Sequence, residues 1–362
     1  MAVRVYRSTD ASAPVLTGVA GSLTALLDAV LVNGYGALPA AGWTINQTAA
    51  SKRGYKQNLT GANNASGMLL YVDDTAPGTG GAKEARVCGF ETMSAITPTG
   101  TGQFPLTAQS AVGTGQLVIR KSNTADAIAR PWTCIANGQT IYLFIESGDW
   151  ASPVAAMPFI FGDFKPYKVS DQYAVGIIGR QDENLGAGQA HYDMFQLVSA
   201  SNHGQQYTLI NAMRGHYVAR HWTGVGGSKA CGKTFDYSRV GGYNNFAGNW
   251  LSDTGIIDVF NACNMTYGRF ATPAAASSPN GPDNSIMPSA LFINHNGSLR
   301  GYWPGLWVPL QDRPVSHNDT FTIASGGLAG KSLIAQQFPA LININYSTEV
   351  GLILIETSDT WT

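Results

Sequence analysis

Charge is scarce in this chain. Of its 362 residues only 12% are Asp, Glu, Lys or Arg, and 22 basic against 23 acidic residues leave a formal net charge of −1. An ordinary soluble domain carries roughly 25%. No basic run is long enough to track a phosphate backbone or an anionic lipid surface, so nucleic acid is not an expected partner. Long apolar runs are missing too, and no segment reaches the length of a membrane-spanning helix. The four cysteines, Cys88, Cys134, Cys231 and Cys263, form no CxxC pair and read as free, buried thiols of a reducing compartment. The first residues, Met1 to Ser8, contain no signal-peptide core, and folding in cytoplasm is the expectation. Nucleophile-elbow, P-loop and dinucleotide fingerprints are lacking in strand–turn–helix context, and no repeat of fixed period runs through the chain.

What the sequence has is apolar residues (44%), 42 Gly and 17 Pro. The Gly and Pro punctuate short apolar runs, which is the habit of an all-β chain. One segment departs from it. Leu23, Leu26, Leu27, Val30 and Leu31 fall at i, i+3, i+4, i+7 and i+8 and draw one apolar stripe along a helix over about 22–33. Ser22 reads as its N-cap and Asn33-Gly34 as its stop. Elsewhere the pattern is strand-like. Glu84–Phe90 alternates charged and apolar positions as a half-buried strand does, and Asn137-Gly138 signals a type I′ hairpin. The expected fold is therefore mainly β, one or two β-sandwich or barrel-like lobes with a single helix near the N-terminus. A soft boundary near 165 separates a helix-containing lobe, 1–165, from a second lobe, 166–362, with long Gly/Ser/Asn loops.

Candidate chemistry is thin. His216 and His221 lie five apart on an expected strand and point to opposite faces, a poor arrangement for one metal, and adding Cys231 or Cys263 yields no zinc spacing. Asp149, Asp163, Asp171, Asp182 and Glu183 are loosely clustered, but nothing selects two of them as the carboxylate pair of a glycosidase. Asp163, after a strand and Gly162, reads as a turn former. Neither catalysis nor a cofactor or metal is expected. Tyr237, Tyr243, Phe246 and Trp250 sit in Gly/Asn-rich surroundings, suited to stacking on sugars if exposed and to anchoring a neighbouring subunit if buried. Trp43 reads as core. Trp303 and Trp307 lie in a stretch with two Pro and two Gly that cannot be a regular helix, and read as a rigid structural corner.

Several of these stretches together resemble a family of tailed-bacteriophage virion structural proteins. They are Ala13–Gly36 followed by Ala41-Gly42-Trp43, Leu70–Asp74 followed by Ala85–Glu91, Ala129–Trp132, Phe161-Gly162-Asp163, and Leu299-Arg300-Gly301 through Pro304–Trp307. The resemblance covers 13 to about 178 and 299 to the end, and leaves 180–298 unmatched. It implies a multicopy particle component of the tail, baseplate or adaptor, located in the virion, whose partners are copies of itself and other virion proteins. It transfers no catalytic residue. A receptor- or carbohydrate-binding tail module, touching host surface glycan through the 234–250 loops, is the alternative reading, and a capsid decoration protein a further one. The helix is expected to plug a lobe closed by both chain ends.

Overall fold

The computed structural model describes residues 2–59, 66–110, 114–149, 156–180, 183, 215–234, 247–249, 259–261, 288–295, 298–309, 315–339 and 350–361. The fold is mainly β, built of several antiparallel sheets with one helical segment near the N-terminus. A seven-stranded sheet lies at its centre, in the order Arg4–Arg7, Trp132–Ala136, Thr140–Ile145, Met157–Asp163, Val175–Ile178, His216–Val218 and Lys229–Ala230. Strands from either side of residue 165 pair within it, Met157–Asp163 against Val175–Ile178.

This sheet is covered on both faces, which explains its composition. Every residue of Thr140–Ile145 is buried. Ile141, Leu143 and Ile145 point into one apolar core, while Tyr142 and Phe144 point into another. A strand with two buried faces reads as a continuous apolar run because neither face meets water. The first core is closed by the helical segment and a five-stranded sheet, Thr44–Ala49, Lys52–Lys56, Leu69–Asp73, Glu84–Phe90 and Leu117–Arg120. The second is closed by a C-terminal sheet that includes Pro288–His295, Ser298–Pro309, Val350–Glu356 and Ser332–Pro339. The chain ends do meet, since the Val3 amide donates to the Asp359 carbonyl at 2.8 Å. The helix and the C-terminal strands nevertheless cover opposite faces of the central sheet.

The helical stripe is buried as its spacing predicts: Leu23, Leu26, Leu27, Val30 and Leu31 are all at 0% exposure. The helix over 22–33 is present, α-helical in Ser22–Leu27 and widened into a π-helix in Asp28–Asn33, which ends with the Gly34 amide bonded to the Ala29 carbonyl. Both winding patterns keep Val30 and Leu31 on the core side, so apolar spacing cannot separate them. Ser22 is not the cap. Its hydroxyl donates to the Thr17 and Val19 carbonyls, and the first-turn amide of Leu23 is satisfied by Asp74, 51 positions downstream, at 2.8 Å. Asp74 in turn pairs with the Lys121 ammonium, and both side chains are at 0% exposure. A buried carboxylate at a helix N-terminus satisfies an orphan amide and meets the positive end of the dipole.

Three further readings change. The Asn137-Gly138 hairpin exists, joining Trp132–Ala136 to Thr140–Ile145. It is not type I′, because none of its turn residues has positive φ. The Asn137 side-chain carbonyl instead accepts from the amides of Gln139 (2.8 Å) and Thr140 (2.9 Å). Glu84 does not face water. It is buried against Arg120 at 2.9 Å, and Arg120 also grips Asp149 through two nitrogens. The Trp303/Trp307 stretch lies within a strand rather than at a corner between elements. In Ser298–Pro309, Trp307 stands opposite Ala290 and Tyr302 opposite Phe292, so 303–306 bulge out of register. Pro304 and Gly305 occupy that bulge, where a missing amide donor and a positive φ (67° at Gly305) do least harm. Trp303 is fully buried, edge-on to Tyr142 at 6.4 Å and Phe164 at 6.2 Å. Trp307 is half-buried against a small outer cluster.

Candidate functional site

The bulge, the Asn137 hairpin and the chain's last residues together shape a cleft of about 610 Å³. Its walls come from four separate segments, 137–140, 163–174, 302–304 and 360–361, and from Ser66. Trp43 fixes the hairpin from below. Its indole N–H donates to the Asn137 carbonyl at 2.7 Å, and its ring lies 6.0 Å from Phe161 in the strand that leads into the cleft.

Asp163 ends that strand. Its carboxylate is partly sheltered and accepts from the Ser66 amide (3.0 Å), the Ser66 hydroxyl (2.7 Å) and the Gln57 amide group (2.9 Å). Burial pushes its pKa up to about 6, and those three hydrogen bonds oppose the rise only in part. Asp163 is thus no turn former. It is a half-buried acceptor that ties Gln57 and Ser66 to the central sheet. The preceding Gly162 has a φ of 141°, and a Cβ there would collide with the Gln139 carbonyl.

Beyond Asp163 the chain turns along the cleft wall. Lys165 and Pro166 pair with Tyr302 and Gly301, and the Lys165 ammonium donates to the Trp361 carbonyl at 3.1 Å. Burial lowers the Lys165 pKa, and Lys331 adds to the shift while Glu356 opposes it. Tyr167 and Tyr302 stand at the rim, ring centres 5.9 Å apart and inclined by 47°. Tyr167 is 54% exposed and Val169 88%. The wall is held rigid by Arg300. This buried guanidinium grips both oxygens of Asp171 at 2.8 and 3.0 Å and donates to the carbonyls of Arg220 and Tyr173.

The two lining carboxylates therefore have structural engagements: Asp163 with Ser66 and Gln57, Asp171 with Arg300. The arrangement offers aromatic faces and polar groups on a fixed wall, which is chemistry for binding. The other sequence-derived candidates lie elsewhere. His216 is buried under Trp303, 6.1 Å between rings, and His221 lies against Trp222. Among the described residues no group of three or more His, Cys, Asp or Glu side chains gathers as a metal site. Cys88, Cys134 and Cys231 are buried, and burial pushes the Cys88 and Cys134 thiols well up, away from thiolate chemistry. Tyr237, Tyr243, Phe246 and Trp250, with Cys263 and Asp182, lie outside the described residues. The sequence singles out Arg300 only as part of a motif, with no role, and gives no signal for Lys165 or Tyr167. Compared with known proteins, the chain matches no family model and no curated sequence.

Proposed function

We propose that the chain is a non-catalytic structural subunit of a tailed-bacteriophage particle, working by multicopy assembly in the tail, baseplate or adaptor region after folding in the host cytoplasm. The observation that carries this reading is what the resembling motifs do in the fold. The Ala13–Trp43 stretch supplies the helix and the Trp43 anchor, Ala129–Trp132 leads into the central sheet, Phe161–Asp163 ends one of its strands, and Arg300–Trp307 locks the C-terminal sheet onto it. Each is scaffold. A family recognisable by scaffold motifs is one whose members have a shape to keep.

Charge usage supports the same reading. Arg120, Lys121 and Arg300 are spent on buried partners inside the subunit. Contacts between subunits then rest on apolar and hydrogen-bonding surface, which salt screens little. The experiment is mass spectrometry and immunogold labelling of purified particles, with the recombinant chain's self-association followed by light scattering. Many copies per particle, label at the tail, and association unchanged between about 0.1 and about 1 M salt support the reading. Absence from particles, or assemblies that dissolve on raising salt alone, contradict it.

A further inference from the structure

We propose that the cleft between Tyr167, Tyr302 and Lys165 is a saccharide-binding subsite, one that takes a neutral pyranose unit of a glycan. The proposal stands whether or not the chain is a virion subunit, because it rests on the cleft alone.

Three features select this ligand class. First, Tyr167 and Tyr302 present ring surface at the rim of a concave site, with Tyr167 54% exposed although most large aromatics among the described residues are buried. A ring held in that position offers a flat, polarizable face to the C–H side of a sugar, and its hydroxyl leaves a polar edge for the sugar's own hydroxyls. Second, the walls mix apolar and polar surface in a volume of about 610 Å³, within the range for small-ligand sites, and a few placed polar groups on an apolar wall give orientation. The Lys165 ammonium, committed to one carbonyl, keeps further donors. The Gln172 amide is exposed on the same wall. Third, the wall is pre-formed. Arg300 fixes 171–173 from behind through three hydrogen bonds, two to Asp171 and one to the Tyr173 carbonyl, and the pairing of 165–166 with 301–302 fixes the segment bearing Tyr167. A pre-ordered site spends little binding energy on ordering itself.

Charge argues for a neutral sugar. Asp171 is neutralised by Arg300, and Lys165 faces a cleft that also contains Asp163. An acidic ligand would meet one favourable and one unfavourable charge. The lining carboxylates are bound to structural partners, so the site holds a glycan without cleaving it.

The test is a printed array of neutral and acidic bacterial oligosaccharides probed with the full chain, followed by titration calorimetry on the best neutral oligosaccharide. Binding to neutral glycans is expected, weakened at least tenfold by Tyr167→Ala and at least threefold by Lys165→Ala, and retained within about twofold by Tyr167→Phe, which keeps the stacking face. Thermal melts of the variants, expected to match the parent because both side chains are exposed, separate lost binding from lost folding. The proposal is overturned if no neutral glycan binds, or if Tyr167→Ala binds as the parent does. It is also overturned if binding survives Tyr167→Ala but is abolished by Trp250→Ala, which would move the site to the 234–250 loops. Self-association lost in Tyr167→Ala without any glycan binding would mark the cleft as a subunit contact instead.

Discussion

Replacing Asp74 by Ala removes two things at once: the acceptor for the Leu23 amide at 2.8 Å and the partner of a fully buried ammonium. The first loss is that of a helix cap, about 1 kcal/mol. The second strands Lys121, whose remaining contacts are the Val19 carbonyl at 2.8 Å and the Ser22 hydroxyl at 3.4 Å. Removing one member of a buried pair costs about 3–5 kcal/mol, so Asp74→Ala should destabilise by about 4–6 kcal/mol in all. The pair itself is another matter. Burial raises the pKa of Asp74 and lowers that of Lys121 although each is the other's counter-ion. Desolvation therefore outweighs their attraction. The double variant Asp74→Ala/Lys121→Met should recover most of the loss and remain about 1–2 kcal/mol below the parent, the cost of the missing cap and of the space left behind. Urea titration followed by tryptophan fluorescence reads the global term, and hydrogen exchange at the Leu23 and Thr24 amides reads the cap. Asp74→Ala losing less than about 1 kcal/mol, or a double variant as damaged as the two single ones summed, would refute the reasoning.

Two other perturbations follow from the same core and cleft. Leu27→Asp puts a carboxylate among fully buried side chains, a cost on the order of 5 kcal/mol or more. It should abolish the cooperative melt rather than impair a site, and a normally folded variant in circular dichroism would contradict the helix assignment. Asp163 holds its proton more tightly folded than unfolded, with a pKa of about 6 against 3.8. Its contribution to stability is therefore fully present below about pH 4 and lost as pH rises through about 6. The loss is at most about 3 kcal/mol, and about 2 after allowing for water in the cleft. The stability gap between parent and Asp163→Asn, measured at pH 4.5 and pH 7.5, should shift in favour of the variant at the higher pH, and a gap independent of pH would contradict the assignment.

The parts of this fold that were legible in the sequence are those with local causes. The helical stripe and the Asn137 hairpin announce themselves through spacing and turn chemistry within a dozen residues. What was not legible depends on partners distant in sequence. The helix cap comes from Asp74, 51 positions on. Glu84 looked like a solvent-facing residue because its strand alternates, yet Arg120 draws it inside. Asp163 followed Gly162 and so read as a turn, while its hydrogen-bond partners, Ser66 and Gln57, lie 97 and 106 positions away. The central sheet's two covered faces were hidden because an apolar run does not say how many layers cover it. The cleft was invisible for the same reason: four segments build it, and none is distinctive alone.

Cryo-electron microscopy of intact particles tests the central claim most directly. The account predicts repeated, symmetry-related density in the tail region into which the central sheet and its two covering layers fit, with neighbouring copies meeting through neutral surface. Particles complete in every part, with no density that accepts this fold, would contradict it.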